Sequence, residues 1–261
     1  MGDKPIVQLN INKKMEKQKF RKRVAVALDL PTPGKALELL DKNFQGEHLL
    51  VKLGMELIYA SYLEYGVDII QEVNDRGHEI FLDLKLCDIP DTVKNAMAAL
   101  RHLDVAIVNV HASGGIEMMR KALEGLGTDE PRPLLFAVTV LTSIDEQCLN
   151  EELLVDHTVE ETVLTYARNA KEAGAHGIIC SPWEAAVVRK ALGEDILILT
   201  PGIRFEGSDH NDQKRVATPA YAREVGADII VVGRIVTEAE DPLAAYELVV
   251  REFCGDSNEE E

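Results

Sequence analysis

The chain has 261 residues, 46% of them hydrophobic, enough for a sizeable core and too many for a disordered chain. No apolar run approaches the ~20 residues of a membrane-spanning helix, and a net charge of −17 disfavours wholesale binding to nucleic acid. The four cysteines (Cys87, Cys148, Cys180, Cys254) form no CxxC pair, so reduced thiols are expected rather than a zinc site or disulfide framework.

The charge is unevenly placed. Residues 1–23 carry eight Lys/Arg against two acids, or +6, which leaves −23 for the remainder. Residues 1–21 read as a solvated basic extension. The N-terminus has no apolar signal core, which predicts a cytoplasmic chain. An anionic ligand would need a local cationic pocket inside this acidic body.

From residue 24 onward, short apolar runs alternate with helical patterns. The runs predict eight strands: 24–30, 48–54, 79–86, 105–112, 134–142, 177–181, 196–203 and 228–234. Near-continuous apolar strands fit a parallel sheet covered on its faces. Between them, "DTVKNAMAALRHL" places Val93, Met97 and Leu100 on one helical face behind Pro90. "VEETVLTYARNAKEAGA" does the same and ends near Gly174. Eight β/α units over 22–254 predict an α/β fold, a single (β/α)8 TIM barrel with a parallel eight-stranded sheet. A doubly wound open sheet is the structural rival, although no GxGxxG follows the first strand. The tail at 255–261, "GDSNEEE", reads as acidic and disordered.

Charges interrupt these strands near their C-terminal ends. Alternation puts Asp83 and Lys85 on one face of "FLDLKLCDIPDTV", with Leu82, Leu84 and Leu86 on the other, against helices. Asp29 falls at the end of the first strand, Lys52 near the end of the second, and Arg234 closes the eighth. Barrels of this kind keep their active sites at that end. An Asp83–Lys85 pair alone is as compatible with a structural ion pair as with catalysis. Four alternating charges (Lys52, Asp83, Lys85, Asp88) are costly to desolvate together and fit a preorganised electrostatic site. Flanking carboxylates favour the ammonium form of Lys85, suiting a proton donor better than a Schiff-base nucleophile.

A second signal is the long loop "TPGIRFEGSDHNDQKRVATP", residues 200–219, followed by "VVGR" after strand eight. Loops of this length are commonly functional. Both fall where barrels often bind phosphate, with Arg204 and Arg234 supplying charge and Gly233 allowing close approach. A solvated surface loop is the plain alternative.

"LDLKLCDIPDT" resembles the DxKxxD signature of the orotidine 5′-monophosphate decarboxylase family. "VTVLTS" and "TPGIR…DQKR…TP…VVGR" resemble its later motifs, in the same order, more like the bacterial branch. The resemblance covers about residues 22–250. It implies a homodimeric enzyme that converts orotidine 5′-monophosphate (OMP) to UMP, the last step of de novo pyrimidine nucleotide synthesis, without metal or organic cofactor. By that similarity, Lys85 protonates C6 and Asp83 lies beside the departing carboxylate. Lys52 links the aspartates to the ribose, which Asp29 hydrogen-bonds. Asp88, Ile89 and Thr92 would come from the partner subunit. Thr142, with Ser143 beside it, contacts the base, and Gln213 bridges base and phosphate. Arg204, Gly233 and Arg234 hold the phosphate.

Two positions depart from the family pattern: Cys87 stands where His is frequent and Asp91 where Asn is. Supporting roles are expected of both, with Cys87 a buried inert thiol. His111, ending strand four, reads either as a supporting group or as a core histidine. Two rivals remain. One is a metal-dependent keto-sugar-phosphate decarboxylase or synthase of the same superfamily, which places an acidic metal ligand where this chain has Lys52. The other is a non-catalytic nucleotide-binding barrel.

Overall fold

The computed structural model describes residues 23–129, 131–205 and 217–255. The expected basic extension, Gln213 and the acidic tail after Gly255 lie outside the described residues. Within them, eight strands form a closed barrel: β1 (Arg23–Ala27), β2 (Leu50–Gly54), β3 (Glu79–Leu86), β4 (Ile107–His111), β5 (Leu134–Val138), β6 (Gly177–Ile179), β7 (Leu197–Thr200) and β8 (Ile229–Val232). Every neighbouring pair is parallel, and β8 pairs with β1 through Val26 and Val232 to close the ring. The barrel expected from the sequence is therefore present, and the open sheet is not.

Period-two alternation builds two separate cores. Ala25, Ala27, Leu50, Phe81, Phe136, Leu199 and Val231 are among the side chains filling the barrel interior. Their neighbours Val24, Val26, Val51, Leu53, Ile80 and Leu82 pack outward against helices, joined there by Leu84 and Leu86. The helices start and stop where their sequences indicate. Thr158 and Glu161 form a capping box at Val159–Ala173, which ends on Gly174 at φ 94°. Pro90 opens Pro90–Leu100, which buries Val93 and Met97.

Strand β3 has the expected bounds, but most of the others end early. Asp29 lies two residues past β1, and Arg234 does not close β8 but opens a short helix, Arg234–Thr237, after Gly233. The cause is the same in each case. Apolar residues continue past the last ladder bond because the chain turns over the barrel mouth while still packing on it, as Leu28, Val140 and Ile203 do.

The opposite end is tied by side chains. His78 Nδ1 accepts the Leu49 N–H at 3.3 Å, His176 Nδ1 accepts that of Leu135 at 2.9 Å, and Asp228 accepts that of Ile198 at 2.8 Å. Burial, with His48 and Arg76 nearby, pushes the His78 pKa down and favours the neutral ring such an acceptor needs. Arg189 ties Asp228 to the Gly226 and Ile196 carbonyls.

Gly177 pairs with Phe136 across β5 and β6, and a Cβ there would overlap the Phe136 ring. Gly177→Ala is expected to destabilise the barrel by about 1–3 kcal/mol through overpacking. Adding Phe136→Leu should recover part of that loss. Urea unfolding of the single and double variants checks both outcomes.

Candidate active site

Adjacent strands bring four charges into one line. Lys52 is the central residue of β2, and its outward neighbours Val51 and Leu53 leave it facing the barrel axis. Its Nζ lies 2.8 Å from Asp29 Oδ1 and 3.4 Å from Asp83 Oδ2. Lys85 Nζ lies 2.7 Å from Asp83 Oδ1. The order is Asp29, Lys52, Asp83, Lys85, alternating in sign. Asp83 is the buried centre, at 6% exposure. Burial pushes its pKa up, but Lys52, then Lys85, then a hydrogen bond from Asn109 outweigh it and hold the carboxyl below 3.8.

A break in the β3–β4 ladder aims Lys85. Leu82 pairs with Val108 and Leu86 with Val110, so β3 spends four residues where β4 spends two. Within this bulge Lys85 takes φ 51°, a left-handed conformation uncommon for a side chain with a Cβ. Such a conformation costs about 1–3 kcal/mol and persists only when the surroundings impose it. Asn109 of β4, 1% exposed, spans the gap. Its Oδ1 accepts the Lys85 N–H at 2.7 Å, and its Nδ2 donates to Asp83 Oδ1 at 2.7 Å.

The four charges line a cleft of about 840 Å³ at the C-terminal mouth of the barrel, within the size range of small-molecule sites. Thr142 and Ser143 enter it after β5, Arg204 after β7, and Gly233 and Arg234 after β8. Arg204 is 9% exposed, so it is not a solvated surface arginine. A Cβ on Gly233 would approach nothing nearer than Ala27, at 3.8 Å. Packing therefore does not require that glycine.

Three residues expected to come from the partner subunit stand outside their own chain's cleft. Asp88, Ile89 and Thr92 are exposed and do not line the cleft, and the Asp88 carboxylate accepts its neighbour's N–H, from Ile89, at 2.7 Å. Within one chain, the fourth member of the charge line is Asp29 rather than Asp88. Cys87 is exposed, not buried as its sequence context suggested, because β3 ends at Leu86 and the chain leaves the barrel there. His111 is half-buried at the end of β4; burial lowers its pKa, and the Lys85 charge adds to the effect.

Two residues escaped the sequence reading. Asn109 carried a signal, as the one polar residue in "AIVNV". Gly54 carried none, yet a Cβ there would stand 3.1 Å from Asp29 Oδ1 and 3.2 Å from Lys52 Nζ, crowding the ion pair. Among the described residues no group of three or more His, Cys, Asp or Glu side chains is placed to hold a metal ion.

Removing Asp83 would leave two ammonium groups facing each other. Asp83→Asn is expected to cost about 3 kcal/mol or more, because breaking a buried pair strands its partners. Asp29→Asn, at a carboxylate 58% exposed, should cost much less. The Asp83 contribution is present above its unfolded value near 3.8 and is lost as pH falls through the lower folded value. Urea titrations from pH 7 to 3 should show that acid limb in the wild type and not in Asp83→Asn.

The family described as "Orotidine 5'-phosphate decarboxylase / HUMPS family" matches residues 22–249. An "Orotidine 5'-phosphate decarboxylase" of Bacillus cytotoxicus is 49% identical over 238 residues, 90% of this chain and 98% of that protein. One of the same name from Geobacillus sp. is 49% identical over 235 residues, 88% of this chain and 96% of that protein. The crystal structure of orotidine 5'-phosphate decarboxylase from Lactobacillus acidophilus superimposes with a TM-score of 0.77 at 41% identity, covering 89% of this chain and 99% of that one. With a match that runs from β1 into the last helix, the chain belongs to the orotidine 5'-phosphate decarboxylase / HUMPS family.

Proposed function

We propose that this chain decarboxylates OMP to UMP without a cofactor. The observation that carries the reading is the Asp29–Lys52–Asp83–Lys85 line inside the cleft. In the reaction the bond from C6 of the pyrimidine to the carboxylate breaks, its electron pair stays on C6, and CO₂ leaves. The Lys85 ammonium stabilises that developing charge and then transfers its proton to C6. The neutral amine regains a proton from solvent. Every ~1.4 kcal/mol of stabilisation at that step is a factor of ten in rate.

The remaining residues divide the substrate between them. Asp83 fixes the Lys85 amine beside the departing carboxylate. Lys52 joins Asp83 to Asp29, which takes the ribose hydroxyls. Thr142 and Ser143 meet the base. Arg204 and Arg234 pair with the phosphate, and Gly233 lets it approach the backbone. Gln213, outside the described residues, retains the bridging role that the resemblance implies.

Asp88, Ile89 and Thr92 complete the site of a partner subunit in a homodimer. Their exposure and their absence from their own chain's cleft support that reading. The metal-dependent alternative is disfavoured by charge: Lys52 Nζ occupies the space between Asp29 and Asp83 where a cation would compete with it.

Loss of OMP absorbance with the purified protein tests the activity, and it should be unchanged by EDTA. Full loss with recovery on Mg²⁺ would favour the metal-dependent reading. Binding of UMP without any OMP depletion would favour a binding protein. Lys85→Ala should retain UMP binding while kcat falls by more than ~10³-fold. Mixing inactive Asp88→Ala and Lys85→Ala subunits should restore part of the activity, and no recovery would refute a shared site.

A further inference from the structure

We infer that Asn109 is a positioning residue for the Lys85 amine, acting through the β3 bulge that its side chain holds open. The inference rests on the reading that Lys85 delivers the proton. It assigns the delivery geometry to a residue that touches no substrate.

The bulge creates two unmet needs at one place. The Lys85 N–H has lost a ladder partner because β3 and β4 fall out of register between Leu82 and Leu86. The Asp83 carboxylate, 2.7 Å from the Lys85 amine and 3.4 Å from that of Lys52, is 6% exposed and still needs its orientation fixed. One side chain must accept from the first and donate to the second. A carboxamide does both at once, and Asn109 does so at 2.7 Å on each side. Both ends of the Lys85 residue are thereby fixed to one scaffold. Its backbone hangs on Asn109 Oδ1, and its amine rests on the carboxylate that Asn109 Nδ2 orients.

The support is rigid. Asn109 is 1% exposed on a barrel strand and pairs in register with Phe136 of β5, a fully buried side chain. A longer amide has no room there without displacing the interior. A shorter hydroxyl does not span the two partners. An aspartate keeps the acceptor but turns the donor into a second carboxylate facing Asp83. Loss of the amide leaves Lys85 with a left-handed backbone and nothing to impose it. The expected result is an amine still charged but misplaced. Misplacement on the order of 1 Å away from the chemistry can cost about 10²-fold in rate.

The test uses full-length Asn109→Ser and Asn109→Asp, with kcat and KM for OMP, UMP affinity and thermal unfolding measured on each. Both variants should lose about 10²-fold in kcat at neutral pH. UMP affinity should hold within about threefold, because the nucleoside and phosphate contacts are untouched. The pH profiles should then separate the two variants. Activity of Asn109→Asp should rise as pH falls toward about 5, where the facing carboxylates share a proton and the introduced acid donates again. Activity of Asn109→Ser should show no such recovery.

A kcat within about threefold of wild type in both variants overturns the inference, on the same scale used for binding. So does an equal loss of UMP affinity, or a pH-independent deficit in Asn109→Asp. If both variants fail to fold, Asn109 serves stability alone and the inference is likewise overturned. Wild-type protein that never depletes OMP overturns the decarboxylase reading as well, so the two failures are distinguishable.

Discussion

Asp83 is a buried carboxylate, and the mouth of the barrel is arranged around keeping it charged. Burial alone would favour the neutral acid. Lys52, Lys85 and Asn109 reverse that preference, each from a different position around the carboxylate. The requirement reaches well into the fold. It asks β2 to send a lysine inward, β3 to break its pairing with β4, and residue 54 to carry no side chain.

The two ends of the barrel are tied in different ways. At the N-terminal end, His78, His176 and Asp228 join neighbouring strands through backbone N–H groups. Two ion pairs, Arg23–Glu79 and Arg189–Asp228, reinforce that end. At the C-terminal end the strands stop early, the chain turns over the rim, and ion pairs replace ladder bonds. This separation lets one end absorb conformational cost that the other end's bonding sustains. It is the expected division in a fold whose sites are built from the loops and strand ends on one face.

Legibility in the sequence followed the range of the interaction. Alternation over "FLDLKL" was enough to place Asp83 and Lys85 on one face and the leucines on the other, since strand geometry is local. Helix boundaries at Pro90 and Gly174 were equally local. Strand ends were read too long, because apolarity marks burial and not ladder bonding, and Leu28 and Ile203 are buried beyond their strands. The bulge could not be read at all. It depends on how many residues β3 spends against β4, a quantity that exists only once both strands are paired. Asn109 and Gly54 acquire their meaning from that pairing and from the ion pair beside it. Asp88 stands away from its own chain's charge line because the chain exits the barrel after Leu86.

The left-handed backbone at Lys85 carries a consequence for how this chain could change. Glycine would adopt that conformation at no steric cost, but it would take away the ammonium that faces Asp83. Any larger residue without the amine keeps the conformational cost and loses the ion pair as well. At 85 the backbone cost of the lysine is set against the ion pair that its amine makes with Asp83. The segment therefore holds a strained backbone and a buried ion pair at one residue, and a change at 85 alters both together.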